Sequence, residues 1–148
     1  MTSTRTLVAA TLLAAATLGL SRPAMAEVRL GLGADWIIED AGLFALTLAV
    51  DTPVARKITV GGRFGVALLA PGPSLGVPID LNLRVRFARS RVYLEGNFGP
   101  WVFFNTGDTL RLHAALGFGL RKKSFEIGLE AGWLDPSPHL GLRLAWKI

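Results

Sequence analysis

The sequence contains no cysteine, and only two of its 148 residues are histidine. Without cysteine the chain can form no disulfide framework, no thiolate metal site and no lipid-modified cysteine behind an export signal. So few histidines also argue against a transition-metal site, because such sites draw mainly on histidine and cysteine. We therefore expect no cofactor and a fold held by backbone hydrogen bonds and packing.

Long apolar runs are missing after residue 26, so no later segment predicts a membrane-spanning helix. The first 26 residues have the pattern of an export signal. Arg5 provides the charge, Leu7–Leu20 is an uncharged apolar stretch, and Ala24-Met25-Ala26 provides the small residues before a cleavage site. We expect cleavage after Ala26, leaving residues 27–148 as one domain. A retained helical anchor is the alternative, but this stretch is shorter than the roughly 20 residues that span a bilayer.

A strong excess of one charge is also absent. Loss of Arg5 and Arg22 with the signal lowers the formal net charge from +5 to +3. No flexible segment combines clustered lysine and arginine with aromatic residues, so nucleic acid is not an expected partner.

From Glu27 onward the apolar residues recur at every second position. The clearest segment runs from Pro78 to Phe87, where aliphatic residues alternate with Asp80, Asn82 and Arg84. Seven further segments with this alternation have apolar faces that begin at Val28, Phe44, Ile58, Val92, Leu110, Phe125 and Leu140. The pattern predicts eight strands with one apolar and one polar face, in which a one-residue slip would exchange the faces.

The predicted connections alternate between short turns and looser loops. The short turns are Asp51–Arg56, Ala88–Ser90 and Arg121–Ser124, and the loops are Ile37–Gly42, Ala70–Val77, Gly99–Asp108 and Leu134–Pro138. An even number of strands, with short turns on one side and longer loops on the other, is typical of bacterial transmembrane barrels.

Alternation alone does not say which face of the sheet meets water. A soluble lipocalin-like barrel or a sandwich would turn the apolar face inward. Here the large side chains lie on the apolar face, while the polar face carries many glycines. Because an eight-stranded barrel has an interior only just wide enough for side chains, the glycine-rich face suits the inside and the apolar face should meet lipid.

Aromatic residues of the apolar face fall at two levels along the predicted strands. Trp36, Phe44, Phe98 and Trp133 lie near the loop ends, and Phe87, Phe118, Phe125 and Trp146 lie toward the turn ends. Two such belts are what the two membrane interfaces select, so these eight residues are expected to mark the boundaries of the membrane.

On this pattern the chain from Glu27 to Ile148 resembles the small eight-stranded bacterial outer-membrane barrel proteins. The resemblance implies an all-β, antiparallel up-and-down transmembrane barrel, integral in the outer membrane of a Gram-negative bacterium and surrounded by its lipid. It is a resemblance of architecture, which by itself implies no particular activity.

The last strand also resembles the signal that barrel-assembly machinery reads, with a polar His139, then Gly141, and apolar Leu144 and Trp146 near the C-terminus. It departs from that signal at Ile148, where bacterial members usually have phenylalanine. The resemblance implies the assembly machinery as a partner.

Charged residues recur at the polar positions and form the first candidate site. The predicted luminal set is Arg29, Asp35, Arg63, Asp80, Arg84, Arg86, Glu95, Arg111, His113, Glu126, Glu130 and Arg143. Buried charges are tolerated only when they are paired and hydrogen bonded, so we expect a cross-lumen ion-pair network that fills the interior. A small channel or carrier for small or hydrophobic solutes is the alternative.

The two histidines raise a second alternative, because some small outer-membrane barrels are lipid A deacylases or acyltransferases. The deacylase pattern has serine two residues after the histidine, whereas Ala115 follows His113 and Gly141 follows His139. The expected role is therefore non-enzymatic, namely structural, in envelope integrity or in surface interaction. We expect His113 to join the luminal network and His139 to be a polar residue at a strand start.

Basic residues crowd the predicted turn end of the barrel: Arg56, Lys57, Arg89, Arg91, Arg121, Lys122 and Lys123. They are expected to contact phosphates of inner-leaflet lipid, with ordinary solvated turns as the alternative. At the opposite end, the apolar run Trp101–Phe104 either extends the barrel or offers a contact to a protein partner at the outer loops, and extension is favoured.

Overall fold

The computed structural model describes residues 25–38, 41–72, 74–87, 91–104 and 107–148. The predicted export signal lies outside these residues except for Met25 and Ala26. The described chain forms eight strands: β1 (Glu27–Ile37), β2 (Ala41–Ala55), β3 (Ile58–Ala70), β4 (Ser74–Arg86), β5 (Val92–Phe103), β6 (Leu110–Lys122), β7 (Phe125–Leu134) and β8 (Ser137–Lys147).

Each strand pairs antiparallel with its neighbours in sequence, and β1 pairs with β8 to close the sheet into a barrel. The closing register runs from Arg29 opposite Lys147 to Ile37 opposite His139. Closure leaves no unpaired strand edge, which is the only way a sheet can satisfy its backbone groups in hydrocarbon. The fold class predicted from the alternation is confirmed.

Among the residues that the structure describes, no helix is long and apolar enough to cross a membrane.

Several strands are longer than the sequence predicted, and the expectation of looser loops was wrong at three connections. Residues 38–40 separate β1 from β2, residues 71–73 separate β3 from β4, and residues 135–136 separate β7 from β8. The prolines and glycines of these segments suggested loops, yet Pro78 lies within β4 opposite Trp101. Pairing of β4 with β3 is interrupted there, between Ile79 and Gly76, which accommodates a residue that cannot donate a hydrogen bond.

Two strands also extend the barrel beyond their predicted ends. β2 reaches Ala55, which shortens its turn to Arg56 and Lys57, and β5 reaches Phe103. In β5, Trp101 and Phe103 are buried inside the barrel. The apolar run at the end of β5 is therefore an extension of the strand, because it continues the alternation that the sequence analysis ended at Phe98.

An apolar plug fills the lumen at the end that carries the β1–β2, β3–β4, β5–β6 and β7–β8 connections, which we call the loop end. Its members are Ile37, Leu43, Ala45, Ala67, Trp101, Phe103 and Leu134. They lie on the inner face because they occupy the same alternate positions that carry polar residues further along each strand. The plug therefore occupies the interior of the barrel at the loop end.

The outer surface is apolar around the barrel. Of the eight aromatic residues predicted at the membrane boundaries, seven are exposed, from Trp146 at 37% to Trp36 at 62%. Phe125 is half-buried because its ring packs against that of Trp146, with the centroids 5.5 Å apart. Leucines lie between the two belts, and Leu116 is 76% exposed. Soluble monomers rarely expose so continuous an apolar surface.

Candidate functional site

The lumen below the apolar plug holds a network of ion pairs in two layers. In the layer nearer the turn end, Arg84 donates to Glu95 and to both carboxylate oxygens of Glu126, at 2.8 and 2.7 Å. Arg29 donates to Asp51 from Nε at 2.8 Å and from Nη2 at 2.5 Å, and reaches Glu126 at 3.3 Å. Glu126 thus joins two arginines from opposite sides of the barrel.

The layer nearer the loop end is centred on Glu130. Arg63 donates to Glu130 Oε2 at 3.0 Å and to Asp80 at 2.8 and 3.1 Å. Arg143 donates to Glu130 Oε1 at 2.6 Å and to both oxygens of Asp35 at 2.7 and 2.8 Å. Paired guanidinium and carboxylate groups of this kind are tolerated in a dry interior because every charge has a hydrogen-bonded partner.

Glycines on the inner face provide the room for these long side chains. A Cβ on Gly141 would lie only 2.6 Å from Cγ of Asp35 and 2.8 Å from Nη1 of Arg143. A Cβ on Gly119 would lie 2.6 Å from the hydroxyl of Tyr93, over whose ring Arg84 packs at 4.1 Å. The glycine-rich polar face seen in the sequence is therefore the space that the charged network occupies.

Both histidines lie in the lumen between the network and the plug, and each is oriented by an aspartate. His113 Nδ1 lies 2.9 Å from Asp80, and His139 Nδ1 lies 3.1 Å from Asp35. The indole of Trp101 donates to the same Asp80 oxygen at 3.0 Å, and its ring centroid lies 4.7 Å from that of His113. The two imidazole rings are 5.2 Å apart.

Little space remains in the middle of the lumen. A cavity there, bordered by Arg29, Arg63, Arg84 and Arg143, has a volume of about 30 Å³. That is room for roughly one or two water molecules. The network and the plug therefore occupy the path that a solute would take along the axis.

The turn end is different, because it opens into a wide basic mouth of about 660 Å³. Its lining includes Arg56, Lys57, Arg84, Arg86, Arg91, Arg121 and Lys123, together with Phe87, Val92 and Tyr93. Arg121 pairs with Glu27 at 3.2 Å and approaches Glu126 at 3.6 Å. Within the described part of the chain, Arg56, Lys57, Arg86, Arg91 and Lys123 form no ion pair with a carboxylate, so the mouth carries an excess of positive charge.

Two residues assigned to the network from the sequence lie outside it. Arg86 is inward but lines the basic mouth, beyond the last luminal carboxylates. Arg111 lies at the loop end, where its guanidinium packs over the ring of Phe103 at 5.3 Å and its Nε has no hydrogen-bond partner among the described residues. Both expectations were wrong because alternation gives the face of a residue but not its height.

The other ten predicted network residues lie within it, and the structure adds three that sequence reasoning missed. Asp51 had been assigned to the turn Asp51–Arg56, yet it is buried and binds Arg29. His139 had been taken as a polar strand start, and Trp101 as part of a loop behind Gly99 and Pro100. Continuing the alternation by one inward position would have placed Asp51 and His139 inside, and continuing it by two would have placed Trp101 inside.

The basic residues predicted to contact lipid phosphates have different surroundings. Arg56, Lys57, Arg91 and Lys123 line the mouth, Arg121 is engaged by Glu27, and Lys122 is exposed at the end of β6. Arg89 lies outside the described residues. The charges that remain available are therefore gathered at the mouth, around the turns.

Comparison with known proteins gives a likeness of fold. A scan of protein-family models finds no match for the chain, and a search of curated proteins finds none. Among solved structures, a de novo designed barrel, TMB2.3, is similar with a TM-score of 0.61 at 16% identity, over 86% of this chain and 98% of that one.

Two natural proteins are similar as well. The N-terminal β-barrel domain of Pseudomonas aeruginosa OprF matches with a TM-score of 0.53 at 11% identity, over 82% of this chain and 97% of that chain. Neisserial surface protein A matches with a TM-score of 0.52 at 11% identity, over 83% of this chain and 96% of that chain. The resemblance to small outer-membrane barrels that the sequence predicted is thus confirmed at the level of the fold, which is a closed eight-stranded barrel of the transmembrane type.

Proposed function

We infer that the protein is an integral outer-membrane barrel with a structural role in the cell envelope, and that its lumen is closed to solutes. The observation that carries this proposal is the filled lumen, where the ion-pair network borders a cavity of about 30 Å³ and the apolar plug occupies the loop end. The apolar outer surface and its two aromatic belts support residence in lipid, since amphipathic rings favour the membrane interfaces.

A non-enzymatic role fits the placement of the histidines. Both imidazoles face aspartates inside the lumen, and His113 is completely buried. Neither is positioned to reach a lipid ester on the outer surface of the barrel. An activated nucleophile would need its base within hydrogen-bond distance.

The route to the membrane is part of the proposal. Residues 1–26 act as a cleaved export signal, and β8 is the segment that the assembly machinery of the outer membrane reads. The features of β8 that support this are Gly141 and the apolar residues Leu144 and Trp146, with Ile148 as the departure from the usual terminal phenylalanine.

Membrane residence is tested by electrophoresis of the membrane fraction with and without boiling. A folded barrel resists detergent and migrates differently when it is not heated, so we expect two mobilities that merge on boiling. A protein found only in the soluble fraction, with one mobility, would contradict the proposal.

Closure of the lumen is tested by single-channel recording in planar bilayers. We expect no unitary conductance from the wild type. The control is heat-modifiable mobility of the reconstituted protein, which shows that a silent bilayer contains the folded barrel. Steady conductance of the wild type would overturn the closed lumen and favour a channel.

A second role, recognition of anionic lipid, is supported by the cations at the mouth that have no carboxylate partner. We expect barrels in vesicles that contain phosphatidylglycerol to unfold at a higher denaturant concentration than barrels in neutral vesicles, because the turn-end cations bind lipid phosphates. A triple variant, Arg56→Ser, Lys57→Ser and Lys123→Ser, should lose this difference. Equal stabilisation of wild type by free inorganic phosphate in neutral vesicles would show that the mouth binds a soluble anion instead.

A further inference from the structure

We propose that the loop-end half of the lumen is a binding site for one divalent transition-metal ion of the zinc class, coordinated by His113 Nε2, His139 Nε2 and Glu130 Oε1. The site lies between the apolar plug and the layer of ion pairs nearer the loop end. It goes beyond the structural role proposed above, and that role does not depend on it.

The three candidate ligand atoms converge. One ligand atom from each of the three buried residues lies within 4.8 Å of the others, and His113 Nε2 is 3.7 Å from Glu130 Oε1. Zinc bound tetrahedrally at about 2.0–2.1 Å from nitrogen and oxygen holds its ligand atoms about 3.3 Å apart. Small side-chain rotations would therefore bring the three atoms to bonding distance.

The two imidazole nitrogens that face this space have no hydrogen-bond partner. His113 Nε2 and His139 Nε2 are both buried and unpartnered among the described residues. A buried polar atom without a partner is costly, and most such atoms in native proteins are bound to water, an ion or a neighbouring group. Here one of the two, His113 Nε2, lies 3.7 Å from Glu130 Oε1, and His139 belongs to the same buried three-residue cluster.

The hydrogen bonds on the other side of each ring set the tautomer that a metal requires. Asp80 and Asp35 are acceptors, so each neutral imidazole keeps its proton on Nδ1 and presents the Nε2 lone pair to the site. Metal-binding histidines usually donate their second N–H to a carboxylate or carbonyl in this way. Trp101 and Arg63 hold Asp80, and Arg143 holds Asp35, so both rings are fixed.

Charge also favours a divalent cation. In the layer that holds the site, two guanidinium groups, Arg63 and Arg143, face three carboxylates, Asp35, Asp80 and Glu130. The excess of negative charge beside the two imidazoles favours a bound cation over an anion or an apolar ligand.

Ligand chemistry selects among divalent ions. Two imidazoles with one carboxylate suit zinc and its neighbours in the first transition row, whereas magnesium and calcium prefer oxygen ligands. Glu130 Oε1 has two lone pairs, so it can bind a metal and still accept from Arg143. The apolar plug above and the ion pairs below enclose the position, which makes an ion there a structural element that joins β6, β7 and β8.

The test is to refold the full chain into detergent micelles with zinc or cobalt, remove free metal, and count bound metal by mass spectrometry. Loading during refolding is needed because the folded lumen is closed. We expect about one metal ion per barrel and the visible absorption of four-coordinate cobalt. His113→Gln and His139→Gln should each abolish binding, and Asp35→Asn should lower affinity roughly 10- to 100-fold.

Glu95→Gln is the matched control. Glu95 is also a luminal carboxylate, but it lies in the layer nearer the turn end, outside the site. It should retain the metal. Heat-modifiable mobility reports whether each variant has folded. If the histidine variants do not fold, X-ray absorption at the zinc edge of the zinc-loaded wild type identifies the ligands instead. We expect two imidazole ligands.

A folded wild type that binds no metal after refolding with zinc would overturn the proposal. So would metal that both folded histidine variants retain, or an absorption spectrum without imidazole ligands. None of these results would bear on membrane residence or on the absence of conductance.

Discussion

The two ends of the lumen differ in how the narrow interior of an eight-stranded barrel is filled. The loop end is dry and closed, with the apolar plug over a layer in which Glu130 holds Arg63 and Arg143. The turn end is wet and open, with a mouth of about 660 Å³ whose cations outnumber their partners. The charges beneath the plug are enclosed and paired, whereas the cations that line the mouth are open to solvent.

Because of this difference, the enclosed charges should contribute to the stability of the fold, and the charges at the mouth should contribute to ligand binding. Charges that are enclosed and paired are costly to disturb, because removal of one partner leaves the other buried and unsatisfied. Charges at an open mouth are screened by water and salt, so they contribute little to stability and remain available to ligands. Substitutions at the two ends should therefore differ in size and in kind.

The largest expected effect is at Glu130. Glu130→Ala leaves Arg63 and Arg143 without their shared carboxylate, so we expect a loss of roughly 3–5 kcal/mol in the free energy of unfolding. Equilibrium unfolding in lipid vesicles, followed by tryptophan fluorescence, measures it. Lys147→Ala at the turn end of β8, where the lysine of the ion pair with Glu27 is about half-exposed, should cost about 0–1 kcal/mol. Equal losses would remove the distinction between the two ends.

The next effect concerns the plug. Leu43 is 2% exposed and packs among the plug residues. Leu43→Ala should lower the free energy of unfolding by about 3 kcal/mol, through lost apolar contact and a cavity. Leu43→Met keeps the volume and should cost less than about 1.5 kcal/mol. The same unfolding measurement compares them, and similar values would mean that the plug is not tightly packed.

A smaller loss is expected when the space between charges is filled. Gly141→Ala places a methyl group against the carboxylate of Asp35, so Asp35 and Arg143 must shift. We expect a cost of roughly 1–3 kcal/mol, typical of overpacking. Gly72→Ala is not a suitable control, because Gly72 has a positive φ. Gly62→Ala is suitable, since a Cβ there lies 3.8 Å from its nearest neighbour. A neutral Gly141→Ala would show that the network tolerates rearrangement.

The smallest expected change in stability is at the mouth itself. Lys123→Gln removes a cation that has no carboxylate partner among the described residues, but Lys123 adopts φ of 53° in its turn, so glutamine keeps the backbone cost similar. In neutral vesicles the free energy of unfolding should stay within about 0.5 kcal/mol of the wild type. A larger loss would mean that the mouth also supports the fold.

The fold could be predicted from the sequence because a period of two, sustained through eight segments, leaves few alternatives, and because glycine on one face and tryptophan on the other fix which side is inside. The residues at which the strands begin and end could not be predicted in the same way. Proline and glycine near Pro78 and Pro100 read as loops, yet the inward residues Trp101 and Phe103 continue the strand.

The sequence also could not predict which charged residues pair with each other across the lumen. Arg29 meets Asp51 and Glu126, which are 22 and 97 residues away, and these contacts depend on the stagger of the strands around the barrel. The same stagger brings His113 and His139 together with Glu130, although the sequence places the histidines 26 positions apart. The small number of histidines argued against a metal site in the sequence analysis. The number of histidines, however, does not show whether they lie close together in the folded barrel.

The pairing of β1 with β8 brings together residues that are far apart in the sequence. Asp35 is clasped by Arg143 and His139, and Glu27 by Lys147, over sequence separations of 104 to 120 residues. Residues of β8 thus hold the first strand in place. A chain that lacks β8 would leave β1 and β7 as two open sheet edges, which hydrocarbon does not tolerate. Pairing of β8 with β1 is therefore required for stable insertion in a membrane.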